Sequence, residues 1–145
     1  MANAEREMPT HIGAAYTDAV NNITFLKRQE WIATNYALLI YGAIFVSAAE
    51  YFSKTDFARN VLGILAIATF VIHCYVMILF QQAIEKFRGR LYWVYRTYFT
   101  SDEQAGLDLP AGPLSPMAQW EVAGWLIAVS FVGCALTAIY LWSVR

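Results

Sequence analysis

Three stretches of the chain lack the polar and apolar alternation of a surface helix and read as continuous apolar runs. Trp31 to Phe52 carries one charge, Glu50, near its end; Val61 to Ala83 carries His73 near its middle; Val122 to Val144 carries none. A helix needs about 20 apolar residues to cross a hydrocarbon core of about 30 Å, and each run reaches that length. The pattern predicts three transmembrane helices and no strand.

The flanking segments have a different periodicity. From Gly13 to Glu30, Tyr16, Val20, Ile23 and Leu26 fall near helical spacing, with Asp18, Asn22 and Lys27 elsewhere on the wheel. This segment is expected to run as a helix into the first span. No proline interrupts Gln81 to Phe99, so the second helix is expected to continue to about Phe99, with Phe87, Leu91, Val94 and Tyr98 on one face and Arg88, Arg90 and Arg96 on the others. Two readings compete for it, a helix packed against the N-terminal segment and a basic, aromatic helix lying on the anionic leaflet with a bend at Gly89; packing is preferred. Arg88, Arg90, Trp93 and Arg96 are its candidate lipid or partner contacts.

Thr100 to Met117 changes character: Asp102, Glu103 and Asp108 precede Pro110, Pro113 and Pro116. Three residues is the polyproline II period, which predicts a stiff extended linker in preference to a Pro-x-x-Pro docking motif. Ser115-Pro116 suits the start of a helix.

Composition places the chain in the membrane class, since 59% hydrophobic and 14% charged residues with a mean hydropathy of +0.42 are far from an ordinary soluble domain. A net charge of −1 offers no basic excess for nucleic acid. Cys74 and Cys134 lie inside apolar runs and read as small hydrophobes. The first residues lack the basic start and apolar core of a secretory signal, so the first span is expected to direct insertion.

Basic residues collect on the cytoplasmic side of spans. Arg6, Lys27, Arg28, Lys86, Arg88, Arg90 and Arg96 share one side, against Lys54, Arg59 and Arg145 on the other. The expected organisation is an all-α integral membrane fold: a cytoplasmic N-terminal region over 1–30, a first span over 31–52, a short outer turn over 53–60, a second span over 61–83, a cytoplasmic extension over 84–99, the acidic and proline-containing linker over 100–117, and a third span with an outer C-terminus over 118–145. Trp31, Tyr36, Tyr51, Tyr92, Trp93, Trp120, Tyr140 and Trp142 fall near the expected interfaces, where amphipathic rings settle. Asn22-Ile23-Thr24 matches the glycosylation pattern, but on the cytoplasmic side it reads as a chance match.

Polar groups within a span are costly and are therefore functional candidates. Glu50 stands near the outer end of its span, where pairing with Lys54 or Arg59 competes with a place at a pore mouth. His73 is expected near mid-membrane, level with Tyr41, Gly133 and Cys134, with Thr69 one turn away. A neutral histidine bonded to Tyr41, Thr69 or Thr137 would satisfy the bundle without chemistry; proton relay or gating is the lesser reading. One metal cannot easily take both His73 and Cys74, which point about 100° apart on a helix, and His11 lies outside the spans, so neither a metal nor haem is expected.

On the third span Ser130, Cys134 and Ala138 recur at intervals of four, as do Gly124 and Ala128. Small residues let helices approach closely in lipid, which predicts a packing face within one chain or between copies. The phosphate-loop, Gly-x-Ser-x-Gly and His-Glu-x-x-His patterns are absent, so no enzyme and no cofactor are expected.

The helix ending in Leu26-Lys27-Arg28-Gln29-Glu30-Trp31, the tight transmembrane hairpin and the projecting second helix resemble the layout of SLATT-type bacterial membrane effectors, over about Gly13 to Phe99. The third span departs from that two-span pattern. The resemblance implies an oligomeric membrane-disrupting or pore-forming effector of a prokaryotic defence system, in the inner membrane. The leading expectation is thus a self-associating membrane protein with His73 and Glu50 on a central path. The alternatives are a non-catalytic accessory subunit of a larger membrane complex and, less economically, a small transporter.

Overall fold

The computed structural model describes residues 8–52, 55–106 and 116–143. The described residues are all-α, with three helices long and apolar enough to cross a membrane. Helix α1 (Thr10–Ser47) ends in a π-helical turn (Ala48–Phe52); α2 (Asp56–Tyr98) returns beside it; α3 (Ser101–Gly106) is short; and α4 (Pro116–Ser143) completes the bundle. The 43 residues of α2 span about 65 Å at 1.5 Å per residue, roughly twice a hydrocarbon core. The α1–α2 hairpin therefore extends well beyond its apolar segments.

The packing period is that of a coiled coil. On α1 the buried positions Glu30, Thr34, Ala37, Tyr41, Ile44 and Ala48 alternate steps of four and three, the 3.5-residue repeat that keeps one seam on its neighbour. Ala66, Thr69, His73, Met77, Gln81 and Ile84 form the answering seam of α2. Ala123, Leu126, Ser130, Thr137 and Leu141 supply that of α4. One apolar cluster joins Ala37, Tyr41, Ile44, Ala48, Ala66 and Leu141, and another joins Met77, Ala123 and Leu126.

Outside these seams the bundle is apolar. Ile64, Ile67, Trp125, Leu136 and Ile139 are each more than half exposed, a surface far larger than a monomer in water tolerates and one suited to acyl chains.

Beyond the apolar segments α2 packs on α1. Ala19 and Val94 are buried, and the rings of Tyr16 and Tyr95 meet edge to face at 6.0 Å. The helix continues through Gly89 without interruption, so of the two readings of this segment the structure displays packing.

Two local expectations differ from the structure. The linker was expected to be extended, but Ser101–Gly106 is helical. Its start is a reciprocal cap: Thr100 N–H and its hydroxyl both donate to Glu103 Oε2, at 2.7 and 2.9 Å, and Glu103 N–H donates to Thr100 Oγ1 at 3.3 Å. Gln104 Nε2 reaches the Tyr95 and Phe99 carbonyls at 3.0 and 3.1 Å, satisfying the end of α2. Pro110, Pro113 and Ser115 lie outside the described residues. The second concerns one of the two partners expected for Glu50, which is exposed in the π-helical turn. Arg59 pairs with Asp56, one turn back on its own helix, where little side-chain entropy is lost; Lys54 lies outside the described residues.

Candidate functional site

Of the buried polar residues, Glu30, Thr34, Thr69, His73 and Gln81 lie on the α1–α2 pair, from the end of the apolar segment next to the helical extension toward its middle, and Ser130 and Thr137 lie on α4. Glu30 is fully buried. Its carboxylate is held on both oxygens: Lys27 Nζ donates to Oε2 at 2.9 Å and Gln81 Nε2 donates to Oε1 at 2.7 Å. An unpaired carboxylate here would carry a prohibitive desolvation cost. Lys27 sits one turn earlier on the same face and keeps part of its side chain exposed, which lets it neutralise Glu30 while remaining hydrated.

One turn further in, the Thr34 hydroxyl donates to the Glu30 carbonyl at 2.9 Å and lies 3.0 Å from His73 Nε2. A hydroxyl has a single proton. With that proton on the carbonyl, His73 must donate from Nε2, which makes it the Nε2–H tautomer with a lone pair on Nδ1. That Nδ1 is buried and has no hydrogen-bond partner among the described residues. A proton passed from His73 through Thr34 would end at a main-chain carbonyl, which is not a proton acceptor at ordinary pH. The arrangement locks α1 to α2 and lacks the continuity of a relay.

Further toward the far end, Tyr41 OH and Ser130 Oγ stand 3.2 Å apart in the core. Gly133 makes this approach possible, because a Cβ there would lie 2.8 Å from Tyr41 Cδ2. Cys134 Sγ faces the Ala66 carbonyl at 3.7 Å, joining α4 to α2. The expected partners of His73 need correction. Tyr41 is spent on Ser130, Thr69 bonds back to the Leu65 carbonyl, and Thr137 bonds back to the Gly133 carbonyl. Register explains the difference. Helix pairing sets Thr34 opposite His73 and Glu30 opposite Gln81, whereas matching the centres of the apolar runs sets Tyr41 there.

Glu30, Thr34 and Gln81 were missed in the sequence. The signal was present: Glu30 and Thr34 continue the four-and-three spacing that reaches Ile44, but a charge at the edge of an apolar run reads as a flank.

The other named residues are dispersed. On α4, Ser130 is buried, Cys134 and Ala138 are partly buried, and Gly124 and Ala128 are exposed. Arg90 lies over the Phe87 ring at 5.3 Å, Arg88 is partly buried with an unpartnered Nη1, and Arg96 and Trp93 are exposed. Among the described residues no group of three or more His, Cys, Asp or Glu side chains could hold a metal ion.

Two grooves mark the hairpin face turned away from α4. One, of about 250 Å³, lies at the level of the apolar segments between Ala33, Tyr36, Ala37 and Ile40 of α1 and Thr69, Ile72, His73 and Val76 of α2. The other, of about 400 Å³, lies in the extension, where Ile12, Ala15, Tyr16 and Ala19 face Lys86, Gly89, Arg90 and Trp93. The α1 residues correspond one for one at three heptads' separation, Ile12 with Ala33, Ala15 with Tyr36, Tyr16 with Ala37 and Ala19 with Ile40. A shared heptad position is a shared face, so both grooves belong to one long furrow.

No family model matches the chain, and comparison with curated proteins and with solved structures gives no match either.

Proposed function

We propose that the chain is a self-associating membrane protein, an effector whose three-helix units assemble in a bacterial inner membrane and whose projecting α1–α2 hairpin receives a signal or partner. The observation that carries this reading is the furrow opposite α4. It leaves the unit with an uncovered seat for another helix, lined by small residues such as Ala33 and Ala37 at the level of the apolar segments. The likeness of layout to SLATT-type effectors points the same way. The distribution of lysine and arginine supports a cytoplasmic N-terminus and hairpin extension, with the end of α4 outside.

The test is the mass of the purified particle in detergent and in lipid nanodiscs, corrected for bound detergent and lipid. One closed assembly of more than two copies is expected; a monomer in both media would overturn the proposal.

A second reading, an accessory subunit of a larger membrane complex, is favoured by the polar seam. Glu30, Gln81, Thr34, Tyr41 and Ser130 all find partners inside the chain, which leaves them unavailable to line a conducting path. Copurification with one other protein at fixed stoichiometry distinguishes it.

A further inference from the structure

The furrow has two levels with different chemistry. At the level of the apolar segments Ala33, Ala37 and aliphatic side chains line it together with Tyr36, Thr69 and His73, and in the extension its rim carries Lys86 and Arg90 with no acid among its lining residues. Its occupant should therefore present small residues at the inner level and an acid near the outer one.

The outward face of α4 has this pattern. Glu121, Gly124 and Ala128 are exposed and succeed one another at helical spacing. Among the described residues, Glu121, Lys86 and Arg90 take part in no ion pair. A Cβ added at Gly124 would meet nothing within 4 Å among the described residues, so its small size serves no close contact with them.

Depth and direction agree as well. Ala123 and Leu126 share a cluster with Met77, which sets Glu121 about level with Phe80 and Lys86 about 6–10 Å further out at 1.5 Å per residue. Side chains lean toward the N-terminus of their own helix. Because α2 and α4 run in opposite directions, Lys86 leans inward and Glu121 leans outward, and the two converge. By the same count Ala33, next to the Thr34–His73 pair, lies between the levels of Gly124 and Ala128.

We infer that the furrow is the seat for α4 of a second copy of this chain, with the partner's Glu121 meeting Lys86 and the partner's Ala128 facing Ala33. This rests on the self-association proposed above and specifies its geometry. The two surfaces are different patches of one molecule, so the contact is head to tail and, repeated about an axis along the membrane normal, closes a ring.

Cysteine cross-linking in lipid tests it, with Cys74 and Cys134 replaced by Ala and the fold checked by the melting temperature. Copies carrying Ala33→Cys mixed with copies carrying Ala128→Cys should give a disulfide-linked dimer on oxidation, and one chain carrying both changes should give a ladder up to the ring. Ala128→Cys alone should give none. Glu121→Lys should reduce assembly, and adding Lys86→Glu should restore it. A dimer from Ala128→Cys alone would place α4 against α4 and overturn the head-to-tail contact while leaving self-association intact. So would an oligomeric particle with no cross-link between positions 33 and 128. A monomeric particle without cross-links would overturn both.

Discussion

Gln81 Nε2 and Glu30 Oε1 meet 2.7 Å apart across the α1–α2 seam, with both residues buried. Removing one member of such a pair leaves the other without its partner. Glu30→Ala, which leaves the Gln81 amide buried and unpaired, and Gln81→Leu, which leaves Glu30 Oε1 without its donor, are each expected to lower stability by about 1–3 kcal/mol. Replacing both with Leu should recover much of the loss. Unfolding of the reconstituted protein measures all three, and additive losses in the double variant would show that the pair does not act as a unit.

Gly133 tests the close approach of α1 and α4. Gly133→Ala drives a methyl group into the Tyr41 ring, whose Cδ2 would lie 2.8 Å from the new Cβ, and should cost about 1–3 kcal/mol by overpacking. Gly124→Ala, in open space among the described residues, is its control in a detergent that keeps the protein monomeric. Equal melting temperatures for the two variants would contradict the packing described.

In its neutral form His73 should carry its proton at Nε2, as the single proton of Thr34 requires. Nitrogen chemical shifts of labelled protein report the tautomer directly. Thr34→Val should weaken the bundle by about 0.6 kcal/mol, and at most about 1.7, the range measured for hydrogen bonds between helices in lipid. Protonation at Nδ1 alone would mean that Thr34 donates to the imidazole and not to Glu30.

The Tyr16–Tyr95 contact, beyond the apolar segments, should fail in alkali. Burial first, and then the hydrogen bond and the charge of Tyr16, push the Tyr95 phenol up from 10 to about 12. The folded state holds this proton more tightly than the unfolded chain. Its stabilising contribution is complete below pH 10 and is lost as the pH rises through about 12. Alkaline difference absorbance between the native protein and Tyr95→Phe should show one tyrosinate with that late midpoint, and a midpoint near 10 would contradict the burial.

At α3 the sign is opposite. The main-chain N–H and the hydroxyl of Thr100 hold the Glu103 carboxyl below its ordinary value, so its cap is intact above about pH 4.5 and is lost as the pH falls. Amide exchange over Ser101–Gly106 should quicken in acid, and Thr100→Ala should quicken it at neutral pH without moving the global melting temperature.

The architecture was legible because apolar runs long enough to span a bilayer have few alternative folds, and because no proline breaks Gln81 to Phe99. The polar seam was not. Its members had to be matched across two helices, and hydropathy locates a helix along the membrane normal too coarsely to decide between Thr34 and Tyr41 as the partner of His73. Glu30 was hidden for a related reason: burial of a carboxylate depends on Lys27 and Gln81 standing within reach, and Gln81 is remote in sequence. The helix at Ser101–Gly106 was readable from Thr100-x-x-Glu103, but the prolines that follow drew the whole segment toward an extended reading.

The absence of any break in α1 from Thr10 to Ser47, or in α2 from Asp56 to Tyr98, gives the hairpin the mechanics of a stiff double rod. A load applied where Tyr16 meets Tyr95 finds no break in either helix before the Glu30–Gln81 and Thr34–His73 ties. Those ties resist sliding. A load at the protruding tip is thereby delivered inside the bilayer as tilt of the whole bundle.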